Sequence, residues 1–319
     1  MKAVVVHGAG DLRIDEVPDP VPGPGEVLLS VEWGGICGSD LSYWRHGASG
    51  TAVLRHPLIL GHEVAGRLAS GEPVTVHPAT GKRYFGSAAF DPHTDGAFSE
   101  LKVVRTDQVR PLPDGVSTRH GALAEPLAVA LHAVNRAGAV KGKDVLVNGA
   151  GPIGALVVAA ARYSGARTVV AADVTAAPLA VAKAMGADEV RNVGNGDQLP
   201  ADVEIVFEAS GVLAAVGPVL AATARGGTLV QVGNLPGDPA PAALGALVSR
   251  EITWVGSYRF VDEITDAVLA LRDGIDVDPL ITHEFGIAAA TEAFAAAAAP
   301  DSSKVLLGFA ERRSGRRLD

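Results

Sequence analysis

The run Asp144-Val-Leu-Val-Asn148 is followed directly by Gly149-Ala-Gly151-Pro152-Ile153-Gly154, and then by apolar residues as far as Tyr163. Three consecutive apolar residues, Val145-Leu146-Val147, at the centre of this run fit a parallel strand buried on both faces. The stretch Pro152–Tyr163 fits the helix that follows it. Three glycines at this spacing, between a strand and a helix, form a dinucleotide-binding turn. Gly149 makes the tight turn, Gly151 lets backbone approach a pyrophosphate, and Gly154 lets helix pack on strand. Pro152 and Ile153 are cofactor-binding candidates with them. The pyrophosphate then meets the positive end of the helix dipole.

Outward from this turn the pattern repeats. Arg167–Asp173, Asp202–Phe207, Thr228–Val232 and Ile252–Val255 read as further strands, separated by Ala-rich helices. Such alternation predicts an α/β doubly wound parallel sheet, a Rossmann domain. Asp173 closes the second strand, 19 residues beyond Gly154. A carboxylate there accepts hydrogen bonds from the adenosine ribose and repels a 2′-phosphate. No Arg or Lys lies between Asp173 and Lys183. The expected cofactor is therefore NAD in preference to NADP. The alternative role for Asp173 is a cap on the next helix through Thr175. Val232, closing a later strand, is a further cofactor-binding candidate.

Upstream the texture differs. Residues 1–120 carry short strand candidates, among them Met1–His7, Val27–Trp33, Pro73–Val76 and Ser99–Val104. Between them stand Gly/Pro turns such as Val17–Gly25 and the loop Asp91–Phe98, which suggests a compact barrel-like domain. Leu123–Val134 reads as a helix. Past residue 256 the pattern loosens into helices Val261–Arg272 and Ala288–Ala298 and a strand Lys304–Gly308. This last segment is read as returning to the first domain.

Composition excludes several classes. The net charge is −9 and no basic stretch is long, so nucleic acid is not an expected partner. The short basic run Glu311–Asp319 reads as a solvated tail. The N-terminus lacks the pattern of a signal peptide, and no apolar run suits a membrane span. A single cysteine, Cys37, allows no intrachain disulfide. A cytoplasmic protein is expected.

Cys37 lies between glycines in Gly34-Gly35-Ile36-Cys37-Gly38. It is either an inert small hydrophobe or a reactive group. Gly61-His62-Glu63 offers an imidazole and a carboxylate, and Glu125 offers a second carboxylate at a helix start. Zinc takes thiolate, imidazole and carboxylate in a tetrahedron, leaving one position open when catalytic. One cysteine rules out both a four-cysteine structural site and a two-cysteine catalytic site. If zinc binds, Cys37 is joined by His62 and a carboxylate, and the other carboxylate is an alternate ligand or an outer partner. Of the histidines, His7, His120, His132 and His283 read as structural or exposed, with His132 packed and hydrogen-bonded. His46, His56 and His93 remain candidates for the site wall.

Gly35-Ile-Cys-Gly-Ser-Asp40, Leu60-Gly-His-Glu63, Ala124-Glu-Pro-Leu-Ala-Val129 and the Gly149–Gly154 turn resemble the zinc-dependent medium-chain alcohol/polyol dehydrogenases along nearly the whole chain. Arg83–Phe98 and Gly256–Phe260 look most like the L-idonate 5-dehydrogenase branch, then the sorbitol dehydrogenase branch. The resemblance implies a GroES-like β-rich catalytic domain, residues 1–122 and 257–319, split around a Rossmann domain, residues 123–256, with zinc in the cleft. It implies Cys37, His62 and Glu63 as metal ligands and Glu125 as a carboxylate contacting zinc, often through water. Ser39 becomes the hydroxyl taking the substrate proton. Tyr43, Arg259, Phe85 and His93 line the substrate site, and a homo-oligomer, dimer or tetramer, is implied.

Two departures stand out. The four-cysteine lobe that holds a structural zinc is missing after Pro73–Val76, where His77-Pro-Ala-Thr-Gly-Lys-Arg-Tyr84 runs instead. One catalytic zinc and no structural zinc are expected. The relay histidine usual five residues after the cysteine is Ser42, which cannot act as a base near neutral pH. His46, His93 or water must take that part.

The expected reaction is oxidation of a secondary alcohol, with zinc as Lewis acid, Ser39 passing the proton outward and hydride going to NAD. L-Idonate would give 5-keto-gluconate, its carboxylate meeting Arg259, Arg45, Arg55 or Arg83. Those arginines could equally be solvated or paired with Glu125. The alternatives are a neutral-polyol dehydrogenase for sorbitol or xylitol, and a zinc-free nucleotide-binding redox sensor or degenerate homologue with Cys37 inert.

Overall fold

A computed structural model describes residues 1–309 except 238 and 240. The basic tail from Glu311 lies outside the described residues. The chain forms two compact units.

The first contains Met1–Glu125, Ile281–Ala299 and residues 304–309. Its main sheet runs, in order, Val109–Pro111, Pro73–Val76, Glu63–Leu68, Glu26–Gly35, Lys304–Gly308 and Ile281–Gly286, with Leu101–Arg105 also paired to Glu26–Gly35. The long strand Glu26–Gly35 is the hub. It pairs Gly35 with Glu63 on one side and with Leu306 on the other. Apolar side chains from these strands, with Tyr43, Phe98 and Phe294, make one core. The sequence does not announce the helix Gly38–His46, because its glycine and serine are poor helix formers in isolation. Tertiary packing of Asp40 and Tyr43 secures it instead.

The second unit contains Pro126–Leu280 and Pro300–Ser303. Its six strands run Glu189–Asn192, Thr168–Asp173, Asp144–Asn148, Val203–Glu208, Thr223–Gln231, Thr253–Gly256, all parallel. The strand that comes first along this unit, Asp144–Asn148, is central, so its carboxyl end sits where the strand order reverses. Val145, Leu146 and Val147 are fully or almost fully buried, as the apolar run requires.

Residues 257–280, placed with the first domain on texture, pack inside the second unit. Glu263 accepts from His132 Nδ1 at 2.8 Å, Tyr163 Oη donates to Asp273 at 3.3 Å, and Ile264 and Ala267 are fully buried. Apolar periodicity shows that a helix such as Ile264–Arg272 has a partner but not which partner. No helix among the described residues is long and apolar enough to cross a membrane.

Candidate active site

Cys37 occupies the N-cap of the helix Gly38–His46, with its N–H bonded to Asp40 Oδ2 at 2.9 Å. Asp40 is wholly buried, and its other oxygen accepts from Gly61 N–H at 3.2 Å. Gly61 has φ +92, and a side chain there would run into Phe98. The turn thus needs glycine, and it delivers His62 to Asp40, with Nδ1 4.0 Å from Oδ1. Gly35 is required for a different reason: a Cβ there would collide with the Glu63 carboxylate. One donor atom from each of Cys37, His62 and Glu63 lies within 4.8 Å of the others. Glu125 stands outside this cluster, in the first turn of the helix Ala124–Arg136.

Two partners were not legible in the sequence. Lys304, 3% exposed, donates to both oxygens of Glu63 at 2.9 and 2.7 Å and to the Ile36 carbonyl at 3.2 Å. Tyr84 sets its ring edge-on to His62, centroids 5.6 Å apart, and donates its hydroxyl to Glu125. Both lie far along the chain from what they touch. A lysine opening a strand or a tyrosine in a short hairpin carries no local signal.

The charges explain the chemistry. Burial raises the pKa of Asp40 and of Glu125. Burial pulls His62 down, but the Cys37 sulfur, Asp40 and Glu125 outweigh it and push the imidazole up to about 10. The same surroundings raise Lys304 against its own desolvation, through Glu63 and Cys37 first. Such a pocket is short of positive charge. Thiolate, imidazole and carboxylate are the donors zinc takes, and a divalent cation held by them would supply the missing charge. The residues fit the metal.

The other first-unit candidates are spread more widely. Ser39 is half-buried beside Cys37, and its hydroxyl bonds to none of the described residues. Tyr43 is 2% exposed, and its hydroxyl accepts from Ala88 N–H at 2.9 Å, so that hydroxyl braces a loop. The Phe85 ring lies under Lys102, 4.6 Å away. His93 accepts from Arg55 N–H at 2.9 Å and uses Nδ1 on the Phe90 carbonyl at 3.1 Å, which leaves no nitrogen for a relay. Its ring lies against His56, centroids 3.7 Å apart and planes tilted by 32°. His46 ends its helix exposed. Arg45 reaches the Ala298 carbonyl, Arg55 faces Asp91 at 3.7 Å, and Arg83 bonds the Pro92 carbonyl, so Glu125 pairs with Tyr84 and with none of these. In the second unit, Arg259 has φ +54 and lies over the Tyr258 ring.

The glycine turn is as its spacing predicts. Gly149 has φ +92, and a Cβ on it would meet the backbone of Ser210. A Cβ on Gly154 would strike the Gly149 carbonyl, while the side of Gly151 is open space. Gly151 is the N-cap and Pro152 opens the helix Pro152–Tyr163, with Ile153 beside it. Asp173 takes Ala150 N–H at 2.8 Å on one oxygen and Thr175 N–H and Oγ at 3.0 Å on the other. The Thr175 tie is therefore real, and it shares the carboxylate with the glycine turn. Val232 gives its N–H to the Glu208 carbonyl at 2.8 Å. Glu208, which the sequence did not flag, is fully buried and takes donors from Asn148, Ser210, Gly211 and Gln231. A cavity of about 610 Å³ lined by Gly149, Asp173, Val174 and Ser210 adjoins the turn.

This fold and donor set define a zinc-binding dehydrogenase with a GroES-like domain and a nucleotide-binding domain. The family described as zinc-binding dehydrogenase matches residues 152–272, and the alcohol dehydrogenase GroES-like domain matches residues 23–114. Sorbitol dehydrogenase of Gallus gallus is 36% identical over 96% of this chain and 95% of its own. L-Idonate 5-dehydrogenase (NAD(P)(+)) of Escherichia coli K12 is 38% identical over 81% of this chain and 84% of its own. The crystal structure of an L-idonate 5-dehydrogenase from E. coli superposes with a TM-score of 0.91 at 34% identity, covering 97% of this chain and 98% of that one. The chain belongs to the zinc-dependent medium-chain alcohol/polyol dehydrogenases, which use NAD(P).

Proposed function

We propose that the protein oxidises a secondary alcohol of a sugar acid, L-idonate to 5-keto-gluconate, with NAD in preference to NADP. The observation that carries the reading is the convergence of Cys37, His62 and Glu63 within 4.8 Å. The 38% identity to an L-idonate 5-dehydrogenase and the TM-score of 0.91 support the sugar acid. Sorbitol dehydrogenase stands almost as near, at 36%, and supports a neutral polyol such as sorbitol or xylitol as the second reading.

In this reading Cys37, His62 and Glu63 hold one catalytic zinc, with Glu125 close by as an exchangeable carboxylate. Zinc bound there supplies a Lewis acid that lowers the pKa of the substrate hydroxyl. Ser39 takes the hydroxyl proton and passes it to water, since His93 has no nitrogen to spare. NAD bound at the glycine turn would supply the acceptor for the carbon-bound hydrogen and its electron pair, so that the product would be a ketone. Asp40 and Lys304 hold the ligands: Asp40 anchors Cys37 and the turn before His62, and Lys304 anchors Glu63. Arg259 pairs with the carboxylate of a sugar acid. Gly149, Gly151, Pro152, Ile153, Gly154 and Val232 carry the cofactor, with Asp173 on its ribose. A homo-oligomer in the cytoplasm, where a thiol stays reduced, belongs to the same reading.

A substrate panel with NAD, with and without added zinc, tests it. About one zinc per chain, with faster turnover of L-idonate than of sorbitol, is the expected result. Equal or faster turnover of sorbitol moves the assignment to the polyol. A zinc-free protein inactive on both ends the enzyme reading.

A further inference from the structure

The strands Ala79–Thr80 and Arg83–Tyr84 pair as a short hairpin after the strand Pro73–Val76. Beneath it, against the strand Leu101–Arg105, lies a cavity of about 340 Å³. Lys102 and Arg83 line it, and so do the side chains of Thr80 and Thr94. Among the described residues neither cation forms an ion pair with a carboxylate, and only the Asp95 carboxylate, on the same wall, acts on Lys102 from nearby. Lys102 gives one hydrogen bond, to the Asp95 carbonyl at 2.7 Å, and lies 4.6 Å above the Phe85 ring. An ammonium has three donors, so two remain unspent. Arg83 rests on the Phe90 ring at 5.3 Å and bonds only the Pro92 carbonyl at 3.0 Å and Thr94 Oγ1 at 3.3 Å.

The other charged groups of the wall are largely committed. Glu26 accepts from Gly23 N–H, Asp95 accepts from Ile59 N–H, and Arg105 is bound by Asp107 at 2.6 Å. His93 has both nitrogens occupied. That leaves Arg83, Lys102, the N–H groups of Arg105 that Asp107 does not take, and two threonine hydroxyls as the groups with donors for a ligand. Tetrahedral oxyanions are bound by such sets, the planar fork and the point charge acting together.

We propose that this cavity binds a phosphate group, free or as a small monoester, between Arg83 and Lys102. The site is separate from the cofactor turn and from the metal cluster, and it does not depend on which alcohol is oxidised. Burial holds Lys102 down, at about 8, with the nearby Asp95 only partly offsetting it. A bound phosphate prefers the ammonium form and would raise that pKa. The sign follows: above about pH 8 binding must take up a proton, so affinity falls as pH rises through that point.

Calorimetric titration with inorganic phosphate, at constant ionic strength and with NAD saturating the cofactor turn, tests the proposal. Wild type is expected to bind saturably. R83Q and K102Q are each expected to weaken binding by about tenfold or more, the scale of one charge-assisted hydrogen bond. K102R keeps binding and loses the decline above pH 8, because arginine stays charged. Absence of saturable binding overturns the proposal. So does binding that either R83Q or K102Q leaves unchanged while circular dichroism shows the variant folded.

Discussion

The nucleotide turn and the metal cluster are both bound by backbone and side chain, but they are assembled on different scales. The turn, its helix and Asp173 come from one unbroken stretch between Asp144 and Asp173. The cluster draws on Cys37, on His62 and Glu63, and on Lys304, 241 residues beyond the carboxylate it holds. A local site depends on glycine conformation and strand order. A dispersed one depends on the whole first unit being folded. Damage to the two should therefore look different.

The largest effect is expected from Cys37→Ser. It should lose zinc, and activity should drop more than about a hundredfold, since even outer partners of a metal contribute that much. NADH binding, followed by fluorescence, should stay near wild type. Loss of both together would mean that the two sites are not independent.

Next is Lys304→Met, which leaves the Glu63 carboxylate buried without a counter-charge. Breaking a buried pair in this way costs about 3–5 kcal/mol. Urea unfolding should show that loss in zinc-free protein and a smaller one with zinc, because the metal replaces the missing charge. Equal losses in the two forms would show that Lys304 serves packing alone.

Glu263→Gln probes the second unit. Burial works against the Glu263 carboxylate, but the His132 hydrogen bond and backbone N–H groups hold it down to about 2 from 4.5. A depressed carboxyl stabilises the fold above its unfolded pKa, and that stability fades as pH falls from 4.5 toward 2. Up to about 3 kcal/mol of acid-sensitive stability should disappear in the variant, read from urea midpoints across that window. An unchanged pH profile would remove the ion pair from the account.

Smallest is Asp173→Ser, expected to shift the NAD-to-NADP ratio of kcat/KM by about tenfold toward NADP. If binding of both cofactors falls equally, Asp173 acts only through Ala150 and Thr175.

The same contrast governs what could be read from the sequence. The strand Lys304–Gly308, the helix Pro152–Tyr163 and the alternation of parallel strands and helices around them follow from apolar runs and glycine spacing. Cys37, His62 and Glu63 were legible as donors because few residue types bind zinc. The pairing of Lys304 with Glu63, and of Tyr84 with Glu125, was not, since contacts across such separations leave no periodic trace. The strands Asp11–Glu16, Glu189–Asn192 and Ile281–Gly286 were missed for a related reason. They are short, polar or half-exposed, and are held by neighbours in the sheet more than by their own pattern. Residues 257–280 show the limit from the other side: a helix was predicted there, but its allegiance was decided by Glu263, Ile264 and Ala267.

Lys304 also sets an order in time. A ribosome adding about 5–20 residues per second needs tens of seconds to travel from Glu63 to residue 304. During that interval the thiol, imidazole and carboxylate have left the tunnel, while the ammonium that balances the carboxylate has not been made. The emerging chain can shield Glu63 only with water, a proton or a metal ion. Completion of the Glu63–Lys304 pair thus waits on the strand Lys304–Gly308, and a nascent chain halted short of it would carry the thiol, imidazole and carboxylate without that ammonium.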